Sequence, residues 1–197
     1  AGQAEPKFMP GVAPAVEPKC GECGWNWNMG GPYWLKPLHD TDFAQRLLSN
    51  LERDRAKFPA YDKVHALLTT VNEELPDAPF FMTLHSMSAT LKCTPPPADL
   101  FRSAIINAGY RASTAHCNPL ALKTDAPMEL QWDIMRCWIK EHPVRMGPDK
   151  TPGKAILEKE PEHKANFCRS VQAMSKAKLN KVPRYIPNPE ENWGPKA

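Results

Sequence analysis

The chain lacks the features that mark membrane and secreted proteins. No apolar stretch approaches the roughly 20 residues of a transmembrane helix, and the N-terminus has no signal-peptide pattern. Six cysteines in 197 residues, with one close pair, do not form the dense framework of a small secreted domain. We expect a soluble, monomeric intracellular protein, with the nucleus favoured over the cytoplasm or mitochondrion. Because its first residue is Ala1, we expect a processed product or excised fragment.

Motifs for nucleotide chemistry are also missing. The sequence has neither a G-x-x-x-x-G-K-[ST] phosphate loop nor a G-x-G-x-x-G turn after a strand, and no alternation of strands and helices indicates a parallel sheet. His39 beside Asp40 could be a base with its orienting carboxylate, but "PLHD" before a helix favours a capping turn. The pair Glu73–Glu74 at a helix end is interpreted as solvated charge. We therefore predict no catalytic site.

Charge and proline are distributed unevenly. The formal net charge of +3 is too small to indicate an anionic partner, but residues 163–189 carry six Lys or Arg and no acidic residue. One-sided charge of this kind suits a phosphate backbone, although a solvated flexible tail is the alternative. The 22 prolines cluster toward both ends. We predict a Pro-rich linker over residues 1–18 and an extended basic tail over 143–197.

A C-x-x-C motif at Cys20 and Cys23 supplies two of the four ligands that zinc prefers. We assign residues 19–32 as half a zinc knuckle. The sequence does not by itself identify the other two ligands.

The segment 33–142 is predicted to be mainly helical with a small β component, an α+β fold. Apolar residues recur at helical spacing from Phe43 to Leu51, after a cap at Asp40 or Thr41, and again from Tyr61 to Val71. "FFMTL" after Pro79 could be a strand or the start of a third helix.

The next stretch has the order of a winged-helix module. "LHSMSATLK" and "PADLFRSAIINAG" predict two helices around the turn "CTPPP", and "YRASTAHC" with "LALKT" predicts a hairpin. A final helix, "APMELQWDIMRCWIK", places Leu130, Ile134 and Trp138 on one stripe, with Asp125 at its N-cap.

Basic side chains on the predicted wing and last helix form a candidate RNA contact set. The second helix of the module offers only Arg102, which argues against reading a DNA major groove. A shallow basic surface suits RNA backbone contacts better. The alternatives are plain surface charge, or a structural or protein-interaction module without direct RNA contact. The candidate residues are Arg111, His116, Lys123, Arg136 and Lys140.

Several long strings occur together and in order: "GGPYWLKPLHDTDF", "EELPDAPFF", "SAIINAGYRASTAHCNPLALKTDAP", "WDIMRCW" and "NPEENWGPK". With them the chain resembles the C-terminal half of the eukaryotic tRNA (guanine-26) N2-dimethyltransferase family, over most of its length.

The resemblance implies a division of labour. Family members have an N-terminal Rossmann-like domain that binds S-adenosylmethionine and methylates N2 of a tRNA guanosine, and a C-terminal domain that helps to hold the tRNA. It implies that this chain binds tRNA, contacts the methyltransferase domain of the same protein and is inactive alone. It also implies that Cys20 and Cys23 are the second ligand pair of a zinc site whose first pair lies upstream.

Overall fold

The computed structural model describes residues 15–145, 147, 149–174, 179 and 181–182. Two short 3-10 turns, Arg55–Lys57 and Val171–Ala173, accompany the regular elements. In chain order these elements are α1 Thr41–Arg53, α2 Tyr61–Glu73, β1 Met82–Thr83, α3 Leu84–Leu91, α4 Ala98–Asn107, β2 Ala112–Ala115, β3 Asn118–Thr124, α5 Met128–Glu141 and α6 Pro152–Leu157. The predicted α+β class is confirmed.

The first two helices follow each other in the chain and pack against each other. Asp40 caps α1, because its carboxylate accepts a hydrogen bond from the Phe43 amide at 2.8 Å, which confirms the capping interpretation of "PLHD". Leu48 and Leu51 of α1 are buried. Phe43 and Leu47, on the same predicted apolar stripe, remain exposed.

A three-stranded antiparallel sheet follows, in the order β1-β3-β2. Strand β1 pairs Met82 with Leu122 of β3, and α3 begins directly after it, so "FFMTL" is both a short strand and the start of a helix. Helices α3 and α4, joined by the proline-rich turn, precede the β2–β3 hairpin. Helix, turn, helix and hairpin therefore occur in the predicted order.

The core lies where α3, α4, α5 and α6 meet the sheet. Its most deeply buried side chains include Leu91, Phe101, Ile134, Met135 and Ile156. The predicted stripe of α5 is buried as expected. Its predicted cap is wrong, however: Pro127 occupies the N-cap position, and Asp125 instead accepts hydrogen bonds from Arg111.

The prediction of an extended tail from residue 143 is wrong for its first part. Helix α6 begins after Thr151, whose hydroxyl accepts a hydrogen bond from the Lys154 amide, and it buries Ile156 in the core. Beyond it, Phe167 lies edge-on to Trp138, and Arg102 donates to the Ala173 carbonyl at 3.1 Å. This segment is held because its apolar side chains and backbone carbonyls have partners on α4 and α5. Residues 183–197 and most of 175–182 lie outside the described residues, as do residues 1–14 of the predicted linker.

None of the helices in the described part of the chain combines the length and apolarity that crossing a bilayer requires.

Candidate functional site

Glu74, directly after α2, is the centre of a buried polar cluster. Its side chain is 2% exposed, and it accepts hydrogen bonds from the His116 amide at 2.7 Å and from His116 Nδ1 at 2.8 Å. The ammonium of Lys123, also 2% exposed, lies 2.7 Å from the other carboxylate oxygen. The interpretation of Glu74 as solvated charge is therefore wrong. The cluster ties the end of α2 to β3, through Lys123, and to the turn between β2 and β3, through His116.

The surroundings of Glu74 favour its charged form. Burial alone would raise the pKa of this carboxyl, but the hydrogen bonds from Lys123 and His116 outweigh it and lower the pKa to about 2. Glu74 is thus ionised at neutral pH and compensates the buried ammonium of Lys123.

His39 completes the cluster from the segment before α1. Its Nε2 lies 3.3 Å from Glu74 Oε1, in a geometry that makes no hydrogen bond, and its ring packs edge-on against His116 at 5.4 Å. The ligand atoms of His39, Glu74 and His116 lie within 4.8 Å of one another, as metal ligands do. Lys123 already places a positive charge on the carboxylate, so a divalent cation would be repelled at short range. The cluster is a salt-bridge centre and does not fit a metal ion.

Arg111, directly before β2, is an exposed member of the candidate RNA contact set. Its guanidinium is bonded to Asp77 and to Asp125, each at 2.7 Å, while 54% of the side chain remains exposed. Its hydrogen bonds to the carboxylates of Asp77 and Asp125 raise the pKa of Arg111, so it stays charged. Two acidic partners leave this group with a local formal charge of −1.

Arg136 anchors the C-x-x-C segment to the helical core. The guanidinium is buried, donates to the Ile156 carbonyl, and pairs with both Asp133 and Glu22. Lys159 also pairs with Glu22, at 3.1 Å. Burial alone would raise the pKa of Glu22, but the hydrogen bonds from Arg136 and Lys159 lower it overall. The charge of Arg136 thus serves the packing of residues 20–23.

These contacts narrow the candidate RNA contact set. The expectation that Lys123 and Arg136 lie on the surface is wrong, because both are buried in ion pairs. Arg111 is exposed, His116 is partly exposed, and Lys140 is exposed in a pair with Glu160. Arg111 and His116 flank the loop after α2, whereas Lys140 lies at the end of α5.

The Cys20–Cys23 turn has a defined shape. The Cys20 amide donates to the Trp25 carbonyl at 2.7 Å, the Gly24 amide donates to the Cys20 carbonyl at 2.9 Å, and Gly24 has a φ of +72° that favours glycine. Burial alone would raise the pKa of the Cys20 thiol, but hydrogen bonds from Cys23 and Glu22 lower it. A lowered thiol pKa fits metal ligation. Within the described ranges, no further His, Cys, Asp or Glu joins the two sulfurs in a metal-binding group.

Comparison with known proteins identifies the family. Residues 5–136 match the model of the family described as N2,N2-dimethylguanosine tRNA methyltransferase. The chain belongs to this family. It is 54% identical over 190 residues to tRNA (guanine(26)-N(2))-dimethyltransferase 1 of Arabidopsis thaliana, a match that covers 96% of the chain and 32% of that relative. It is 38% identical over 192 residues to the Homo sapiens tRNA (guanine(26)-N(2))-dimethyltransferase, covering 96% of the chain and 29% of the relative.

The chain spans about a third of the length of the curated relatives it matches. Among solved structures it is similar to a complex of Trm1 from Pyrococcus horikoshii with S-adenosyl-L-methionine, with a TM-score of 0.48 and 24% identity, covering 57% of this chain and 32% of that one.

The Glu74 cluster and the Arg136 network were missed by the sequence reasoning. The partners of Arg136 include Glu22, which lies 114 residues away in sequence. No local spacing pattern reports such a pair. One weak sequence signal indicated the burial of Lys123. This residue lies within the apolar strand "LALKT", and side chains of a central strand are readily buried.

Proposed function

We propose that this chain is the tRNA-binding domain of an S-adenosylmethionine-dependent tRNA (guanine-26) N2-dimethyltransferase. The observation that carries the proposal is the family match over residues 5–136, together with 54% identity to a named relative of this activity. In this proposal the methyl transfer is performed by a Rossmann-like domain that lies in the other two thirds of the protein and binds S-adenosylmethionine. The chain alone would hold tRNA without methylating it, inside the cell.

The helix-turn-helix and hairpin would present the RNA contacts. We interpret α3, α4 and the sheet as a winged-helix module, because the elements occur in that order and β1 adds a third strand to the hairpin. Arg111 and His116 lie at the two ends of β2, on the hairpin that forms the wing, and Lys140 would add a contact from α5. A phosphate oxygen could replace Asp77 on Arg111, because that ion pair is solvent-exposed and such pairs contribute little to stability.

Zinc would be held by Cys20 and Cys23 with two ligands from outside this chain. The buried Glu22–Arg136 pair fixes this turn on the helical core, so the metal site and the tRNA-binding domain would move together. Zinc would supply a structural cross-link there and take no part in methyl transfer.

The test is tRNA binding by the chain in which Arg111 and Lys140 are both replaced by Gln. Each phosphate contact contributes about one unit to the slope of log K against log salt. We expect weaker binding at low salt and a slope smaller by about two, because glutamine keeps the polar shape but removes the charge. Titration of a fluorescent tRNA at several salt concentrations measures both.

The matched control is Arg55→Gln together with Lys57→Gln, on the turn between α1 and α2. Both of these residues are exposed and ion-paired, with Asp62 and Asp54. An unchanged slope in the double variant of Arg111 and Lys140, or an equal decrease in the control, would contradict the proposed contact set.

A further inference from the structure

The strongest unassigned surface is an aromatic segment between the C-x-x-C turn and α1. We call residues 24–38 the aromatic strap. Its large apolar side chains are between 47% and 72% exposed, whereas Glu74 and Lys123, in the cluster that follows it, are buried. Phe80 and Phe81, in the loop before β1, are also exposed, and Phe80 contacts the strap. The exposed strap residues are Trp25, Trp27, Met29, Tyr33, Trp34, Leu35 and Leu38.

The strap is fixed to the folded domain at both ends. At its start, the Trp25 carbonyl accepts a hydrogen bond from the Cys20 amide, and Glu22 of the same C-x-x-C turn pairs with Arg136 of α5. At its end, the Leu38 amide donates to the Pro76 carbonyl at 3.3 Å, and the ring of Tyr33 lies edge-on to Phe80 at 4.5 Å. The aromatic side chains therefore face solvent from an anchored backbone.

The composition of the strap fits a protein partner rather than a nucleic acid. Lys36 is its one charged residue, and it contains no carboxylate. Surfaces that bind RNA need basic charge for the phosphates, even where aromatic rings stack on bases. The cores of protein interfaces are instead depleted in charge and enriched in Trp, Tyr, Phe and Met. Exposed apolar patches of this kind are uncommon on isolated domains.

We propose that the aromatic strap, with Phe80 and Phe81, docks on an apolar, uncharged face of the remaining part of the same polypeptide. The inference rests on the proposed function only in its claim that the enzyme extends beyond this chain; it does not depend on tRNA binding. The relatives are about three times as long as the matched region, so a protein of their length would contain a partner of sufficient size. Because Lys36 is the one charged residue of the strap, we expect this face to carry few charges, since burying an unpaired charge is costly.

Hydroxyl-radical footprinting tests the proposal without changing the strap. The isolated chain is compared with a full-length protein in which this chain replaces the matching region of the Arabidopsis thaliana relative, both without tRNA. We expect Trp34 and Tyr33 to react at least about fivefold more slowly in the full-length protein, because residues in an interface core lose their contact with water. The control rings, Tyr110 and Phe58, are exposed elsewhere and keep their rates.

Three outcomes would overturn the proposal. Equal rates for Trp34 in both proteins would mean that no domain covers the strap. Protection that develops only when tRNA is added would make it an RNA surface. Protection in the isolated chain that grows with protein concentration would make its partner a second copy.

A second measurement distinguishes docking of the strap from poor folding of the full-length fusion protein. Trp34→Ser should leave the melting temperature of the isolated chain unchanged, because the side chain is 63% exposed there. The same substitution should lower the melting temperature of the full-length protein, since a buried aromatic contact is lost. Equal effects in the two proteins would contradict docking. A loss of tRNA binding by the chain would refute the proposed function and leave this result intact.

Discussion

At the scale of single residues, charged side chains in this protein serve two separate purposes. Two ion pairs are buried: Lys123 with Glu74, and Arg136 with Asp133. Arg111 and Lys140 carry their charge on the surface. The buried pairs hold segments together, whereas the exposed pairs contribute little to stability, so that a ligand could replace an acidic partner. Charge reversal at the two kinds of position should therefore have different consequences.

The first prediction concerns Glu74→Gln. The lowered pKa means that ionised Glu74 stabilises the fold above the unfolded-state value near 4.5, and that this contribution is lost as pH falls toward 2. We expect the variant to lose about 3 kcal/mol of unfolding free energy at pH 7, and the difference from the original chain to shrink below about pH 4.5. Urea unfolding at several pH values measures it.

The control for this experiment is Glu160→Gln, because Glu160 is 85% exposed in its pair with Lys140. It should change stability little at any pH. A deficit for Glu74→Gln that stays constant from pH 7 to pH 3 would contradict the assignment of the lowered pKa to Glu74.

The second prediction concerns Arg136→Met. This change leaves the carboxylates of Asp133 and Glu22 near the core without their shared partner, and we expect a loss of about 3 kcal/mol. Arg55→Met, which removes an exposed pair with Asp62, should cost less than about 1 kcal/mol. Chemical unfolding of both variants checks the contrast. Equal stabilities would mean that Arg136 does not bind the C-x-x-C turn to the core.

At the scale of elements, helical periodicity predicted α1, α2 and α5 because each has a repeated apolar face. The hairpin could be predicted from its strand composition and its turn residues. The sequence did not predict α6, although Thr151 and Pro152 are a good helix start, because the surrounding proline and lysine residues favoured an extended tail. The sequence also wrongly predicted that Lys123 and Arg136 lie on the surface, because burial of a charge depends on partners that are distant in sequence.

The third prediction tests the packing of α6 on α3. A Cβ added at Gly153 would lie 2.1 Å from the Thr90 carbonyl oxygen, which is backbone and cannot rotate away. Gly153→Ala should therefore destabilise the fold by roughly 1 to 3 kcal/mol, even though alanine is the better helix former. Thermal unfolding measures the change. Gly147→Ala, where no atom lies within 4 Å of the added Cβ, is the neutral control. A stabilised Gly153→Ala variant would contradict the close approach of the two helices.

At the scale of the whole molecule, the family could be predicted from the sequence because long strings of residues match in order. The surface that contacts a ligand could not be predicted from the sequence, because the exposure of each side chain depends on tertiary packing. The folded domain combines a small net charge with exposed basic residues on the hairpin and on α5, and with an aromatic strap that carries almost no charge. We propose that these surfaces bind two different partners, a tRNA and another domain of the same protein.

The most direct test of the central proposal is binding of the 197-residue chain to unmodified tRNA at two salt concentrations, with a methyl-transfer assay on the same sample. We predict binding that weakens as salt rises, because charged contacts to phosphates release counterions, and no transfer of methyl groups from S-adenosylmethionine. Absence of binding at low salt would contradict the account of this chain as a tRNA-binding domain. Methyl transfer by the chain alone would contradict the assignment of catalysis to the rest of the protein.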